Sequence, residues 1–155
     1  MMSELKAYSG FKLVRRRGVT AIVINGGRIL ITKRHWIPFI PHHGFWTFPA
    51  GKVERGEKDD AAVYRELREE TGLRRTDLEL LGRYARVMKV DLKRKDRVYN
   101  TLYAFRSKTR RIRLNFENTG YRWVSASDIE DERLYRNVFA NKGLILKVIR
   151  KALER

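Results

Sequence analysis

Apolar and polar positions change period several times along the chain, and each change predicts an element. Val19 to Ile24 is an apolar run rich in β-branched residues, and Arg28 to Thr32 alternates. Asn25-Gly26 stands between them, and that dipeptide between two such runs predicts a hairpin. Lys33 to Phe45 holds two prolines and keeps no period, so it reads as a loop. Trp46-Thr47-Phe48 predicts a short strand leading into Pro49-Ala50-Gly51. Lys58 to Thr71 predicts a helix, with Asp59 and Asp60 near its positive end and Gly72 placed to stop it. Val63 and Leu67 form its core-facing stripe, and Ala62, Glu66 and Glu70 form another.

Beyond the helix, Leu78 to Val90 alternates imperfectly and Asp91 to Asp96 is a charged turn. Val98 to Arg106 is apolar on both faces, which predicts a central strand. Ile112 to Phe116 and Tyr121 to Val124 predict two further strands, and Ser127 or Asp128 is placed to cap a short helix. Val138, Leu144, Ile145, Val148, Ile149 and Ala152 recur at helical spacing, so the C-terminus should be an amphipathic helix packed on the sheet. These elements predict a mixed α/β (α+β) fold. No repeat, low-complexity tract or linker interrupts it, and 155 residues is the size of one domain, 1–155, with no room for an appended one.

Composition narrows the class. The absence of cysteine excludes a disulfide framework and thiolate metal sites, and fits a reducing cytoplasm. Ala21 to Ile24 is far too short for a membrane span or a signal core, so no membrane association is expected. The net charge of +17 is unevenly placed. Between Arg83 and Arg113 twelve basic residues stand against two acidic ones, whereas Gly51 to Leu73 carries a net −2. An acidic centre beside a basic wall suits a polyanion bridged by a cation. A solvated surface of a heat-adapted protein accounts for much of the same charge.

The acidic centre has a definite spacing. On a helix Glu66, Glu69 and Glu70 stand at i, i+3 and i+4, so their carboxylates share one face. Like charges held together cost free energy unless a cation offsets them, and oxygen donors on a rigid face suit a hard divalent metal. The segment Gly51 to Leu73 resembles the signature box of the Nudix hydrolases, G-x5-E-x7-R-E-U-x-E-E-x-G-U with U aliphatic. Gly51, Glu57, Arg65, Glu66, Leu67, Glu69, Glu70, Gly72 and Leu73 meet every constrained position. At a typical usage of about 7% per residue type, a chance match is on the order of 10⁻⁸ per window. This exceeds what a salt-bridged surface helix would explain.

The resemblance implies a Nudix-like α/β/α sandwich around a mixed central sheet. It implies Mg²⁺, with Mn²⁺ as an alternative, held by Glu66, Glu69 and Glu70, with Glu66 and Glu70 the direct ligands and the carbonyl of Ala50 completing the shell. The family often has glycine where Ala50 stands. Arg65 would fix the glutamate rotamers, and Glu57 would tie the loop to the helix start. The metal would neutralise phosphate oxygens and acidify a bound water. A carboxylate would take that water's proton, either a box glutamate or Glu117, which precedes the segment Tyr121-Arg122-Trp123-Val124.

Substrate choice lies outside the box. His35, His42 and His43 share the loop Lys33 to Phe45 with Trp36, Phe39 and Phe45. We name Trp36, His42, His43 and Phe45 as candidates for stacking a base and contacting phosphates. A loop packed by its own aromatics is the plainer reading. Arg86, Lys89 and Arg97 are further phosphate candidates. The expected reaction is hydrolysis of the pyrophosphate linkage in a nucleoside diphosphate linked to another group, of ADP-ribose, dinucleoside polyphosphate or nucleoside triphosphate type. An RNA 5′-end pyrophosphohydrolase, or a module that binds nucleotide or RNA without cleaving, is the alternative. Monomer and homodimer stay equally open.

Overall fold

A computed structural model describes residues 6–40, 43–131 and 142–155. Its architecture follows from β2 (Gly18–Asn25), whose residues from Gly18 to Ile24 are all buried. Ile22 and Ile24 point into one core, and Ala21 and Val23 into another. A strand that alternates between two apolar faces must be covered on both. β2 pairs antiparallel with β3 (Arg28–Arg34) and β5 (Ala50–Lys52), and parallel with β7 (Asp96–Ser107). β7 also carries β1 (Lys12–Leu13) in parallel and β6 (Leu78–Asp91) antiparallel. β3 carries β4 (Trp46–Thr47) and β8 (Asn118–Val124), both antiparallel. The sheet is mixed, and β7 is central, as its two apolar faces predict.

Helix α1 (Asp59–Thr71) covers one face, burying Ala62, Val63 and Leu67 with Val19, Leu30, Tyr103 and Phe105. The other face is covered by α2 (Ala126–Glu130) and α3 (Lys142–Leu153), through Ile129, Ile145, Val148 and Ile149 against Ile22, Ile29, Ile31 and Leu102. Helices on both faces of a mixed sheet make the α/β/α sandwich. No helix among the described residues is long and apolar enough to cross a membrane.

Several local expectations are corrected. The hairpin turn is Gly26-Gly27, both at positive φ, one residue beyond Asn25-Gly26, because Asn25 pairs with Arg28. The expected strand Trp46–Phe48 ends at Thr47. Phe48 enters the core, and Ala50–Lys52 pairs separately with β2. Ile112 to Phe116 forms no strand. Arg113 N donates to Thr71 O at 2.9 Å and Trp123 Nε1 to Arg110 O at 3.3 Å, so this segment lies along the end of α1. The cap of α2 is Ser125, not Ser127 or Asp128. Its hydroxyl accepts from Asp128 N, and Asp128 Oδ2 accepts from Ser125 N. Val138 lies outside the described residues.

Candidate active site

The loop from β5 to α1 is closed by one arginine. Arg65 Nε donates to Glu57 Oε1 at 2.9 Å, and Arg65 Nη2 to Glu57 Oε2 at 3.0 Å. Nη2 also reaches the Lys52 carbonyl at 2.9 Å, while Nη1 donates to Glu66 at 2.8 Å and Glu69 at 3.2 Å. A planar guanidinium with five fixed donors serves all these acceptors, which an ammonium would not. Glu57 also accepts from Glu54 N at 2.9 Å. The bonds from Arg65 and from that amide hold the Glu57 carboxyl down at about 2. Glu57 in turn raises Arg65, so the guanidinium stays charged. Gly72, at φ 73°, stops the helix with its N–H on the Arg68 carbonyl.

Glu70 is the most buried carboxylate of the box, at 2% exposure. Its Oε2 accepts from the Ala50 amide at 3.1 Å, and its Oε1 from Arg34 Nη1 at 3.1 Å. The same Nη1 lies 3.1 Å from Glu117 Oε2. Arg34 stands at the end of β3 and so ties the box helix to the loop before β8. Burial pushes Glu70 upward, and Arg34 opposes it. Burial likewise raises Glu66, with Glu69 and Glu117 adding to the shift. Burial is the larger cause for both, and the neighbouring carboxylates add to it even with Arg34 and Arg65 paired to them.

These groups meet in a cleft of about 240 Å³ lined by Arg16, Arg34, Glu66, Lys89, Asn100 and Glu117 with the backbone of β5. A Cβ at Gly51 would overlap the Glu66 carboxylate, so glycine there lets that side chain lie against β5. Lys89 reaches the cleft from β6. It is buried, and burial beside Arg34 lowers its pKa. Asn100 is held by Thr20 Oγ1, which accepts from its Nδ2 at 3.0 Å.

The donor set fits a hard divalent cation. Glu66 and Glu70 supply carboxylate oxygens beside Ala50, whose amide already contacts Glu70, and their mutual repulsion calls for positive charge. Among the described residues no three acidic or histidine side chains form a ready-made cage. Arginines hold the carboxylates instead, and Glu69 points outward, its side chain 53% exposed.

The remaining candidates fall elsewhere. Trp36 packs edge-on against His43 with ring centres 5.7 Å apart. Lys93 Nζ sits 5.2 Å from the Trp36 ring, 5.7 Å from the Phe45 ring and 2.8 Å from His43 Nε2. Phe45 packs against the core and Trp36 is largely exposed, and none of Trp36, His43 and Phe45 lines the cleft. Arg86 lines a separate pocket with Arg17, Lys58 and Arg83, at the N-terminal end of α1. His42 lies outside the described residues. Sequence reasoning missed Arg34, Arg16 and Asn100. Arg34 had one faint signal, a cation closing an apolar strand.

The sequence profile of the NUDIX domain matches residues 14–145. The asymmetrical bis(5′-nucleosyl)-tetraphosphatase of Mus musculus is 29% identical over 116 residues, 64% of this chain and 78% of that protein. An RNA pyrophosphohydrolase of Teredinibacter turnerae is 37% identical over 68 residues, 43% of this chain and 37% of that protein. Among solved structures, the MutT protein of Methanosarcina mazei superposes with a TM-score of 0.74 at 22% identity, covering 91% of this chain and 97% of that one.

Proposed function

The chain belongs to the NUDIX family, and from that premise we propose that it is a magnesium-dependent hydrolase of the pyrophosphate linkage in a nucleoside diphosphate joined to another group. The carrying observation is the convergence, in one cleft, of Glu66 with Glu117 and the cations Arg16, Arg34 and Lys89, above the buried Glu70. A cleft of about 240 Å³ is smaller than a pocket for a whole drug-sized ligand, so it suits the diphosphate while the nucleoside lies outside. Similarity to the murine tetraphosphatase supports dinucleoside polyphosphates among the substrates.

In this reading Glu66 and Glu70 would hold the metal with the Ala50 carbonyl, and Glu69, which points outward on Arg65, would join them only by turning toward the cleft. Bound there, a divalent ion would supply charge neutralisation and an acidified water. Arg65 keeps Glu66 aimed at the cleft and ties the loop to the helix. Arg16, Arg34 and Lys89 bind phosphate oxygens, and Arg34 exchanges part of its carboxylate contact for them. Glu117, which also lines the cleft, or a box glutamate takes the proton from the attacking water. The enzyme works in the reducing cytoplasm, and residues 1–155 act as one catalytic unit.

The test is purified protein with and without magnesium against ADP-ribose, a dinucleoside polyphosphate, a nucleoside triphosphate and 5′-triphosphorylated RNA, with products identified. Metal-dependent cleavage between phosphorus atoms is expected. No phosphate release from any of them, with metal and nucleotide both in excess, would overturn the reading.

A further inference from the structure

A groove larger than the cleft lies behind the box helix. Its space of about 1370 Å³ runs along the other side of α1, from Arg65 past the C-terminal end. Arg68, Arg74, Arg75, Arg111 and Arg113 line it, all exposed, and Glu69, which is paired with Arg65, lines its near rim. None of these five arginines forms an ion pair with a described carboxylate, whereas Arg65 at the near rim pairs with three. The C-terminus of a helix carries only about half a negative charge. Five guanidiniums exceed what that dipole accounts for. Arg75 also stacks 4.5 Å over the ring of Tyr64, which presents a planar cationic face in the groove. The groove adjoins the cleft, because Arg65 lines one and bonds Glu66 and the Lys52 carbonyl, which belong to the other.

We infer that this groove binds the backbone of a single-stranded RNA whose 5′ polyphosphate enters the cleft. The fate of the 5′ end rests on the hydrolase reading above, while strand binding does not. Uncompensated arginines suit a run of phosphates better than the two or three of a free nucleotide. The helical stretch 65–71 spans about 9 Å, and the arginines beyond Gly72 extend the track. At roughly 3.4 Å per phosphate of a stacked strand, that accommodates several nucleotides. The guanidinium of Arg75 offers a surface on which an unstacked base can lie. RNA is the strand favoured, because a primary transcript carries phosphoanhydride bonds at its 5′ end.

Anisotropy of a labelled, 5′-triphosphorylated RNA of about 12 nucleotides, without magnesium and across a salt series, tests this. The variant carries Arg68→Gln, Arg74→Gln, Arg111→Gln and Arg113→Gln. A control with Lys12→Gln, Arg28→Gln, Lys147→Gln and Lys151→Gln loses the same charge at other exposed sites. The groove variant should bind at least ~10-fold more weakly, with a salt slope smaller by roughly 0.7 for each phosphate it no longer neutralises. The control should change less than ~3-fold. Equal weakening in both, no weakening in the groove variant, or displacement of the RNA by an equal concentration of polyglutamate of matched charge overturns the inference. Should the quadruple variant melt early, the pair Arg68→Gln and Arg111→Gln is read by the same criteria. With magnesium, the groove variant should lose ~10-fold in kcat/KM on the RNA and stay within ~2-fold on a dinucleoside polyphosphate. If wild type hydrolyses nothing, the hydrolase reading fails, and the anisotropy still decides the groove.

Discussion

The two sides of α1 treat charge in opposite ways. Glu57, Glu66 and Glu70, on the side of the cleft and its loop, and Glu69 at the rim of the groove all meet an arginine, and Arg65 alone serves three of them. Facing the groove, the guanidiniums of five exposed arginines form no ion pair with a described carboxylate. One helix therefore carries a compensated centre and an uncompensated one. The difference is burial. A carboxylate as covered as Glu70 cannot stay charged without a partner, whereas an exposed guanidinium is hydrated and needs none. Buried charges reveal where a small group is bound and transformed. Exposed unpaired charges reveal where a long polyanion can settle.

The largest effect is expected from removing the buried charge. Glu70→Gln keeps the shape, leaves Arg34 and the Ala50 amide in place, and should lower kcat by ~10²-fold or more in magnesium. Circular dichroism should show an intact fold, and a near-normal rate would end the assignment of Glu70 to the metal.

Gly51→Ala comes next. The added methyl collides with the Glu66 carboxylate and should cut kcat/KM by roughly 10-fold while leaving RNA anisotropy in the groove unchanged. Equal damage to both activities would mean that the two sides are not independent.

Gly72→Ala probes the junction between them. At φ 73° a side chain is strained, and the new Cβ would lie 3.1 Å from the Arg113 Cβ. A loss of about 1 kcal/mol, or roughly 2–4 °C in Tm, is expected. An unchanged melting point would show that the end of α1 relaxes freely.

The smallest effect concerns acid stability. Glu57 has its ordinary pKa of 4.5 when unfolded and about 2 when folded, so the unfolded chain binds more protons between those values. The stabilisation from its contacts is complete above about pH 4.5 and is lost as the pH falls towards 2. Glu57→Gln should flatten the melting temperature against pH in that window, with little effect above it. A variant whose acid limb matches wild type would remove Glu57 from the account.

Helix α1, β2, β6, β7 and the C-terminal helix were legible in the sequence, because their apolar periods are long and local. The box was legible for a different reason: its spacing repeats a helical turn, so the neighbours of Arg65 on the helix follow from arithmetic. Ile112 to Phe116 misled, since its alternation is that of a strand. Its backbone instead meets the end of α1, and no local pattern encodes a partner some forty residues away. Ser125 was passed over for the same sort of reason, because a capping box is recognised by its third residue, and Asp128 was read as the cap itself.

What the chain alone determined is the acidic helix, its arginine, its closing glycine and the alternation that requires cover on both faces of the sheet. These depend on bonds between residues a few positions apart. Only the folded structure decided that Arg34 would join Glu70 to Glu117 and that Lys89 would be buried beside them. It likewise decided that segment 111–113 would complete an arginine groove behind the box helix. Those groups lie on different strands and loops. Their meeting is set by the pairing of β3 with β8 and of β6 with β7, which is a property of the packed sheet.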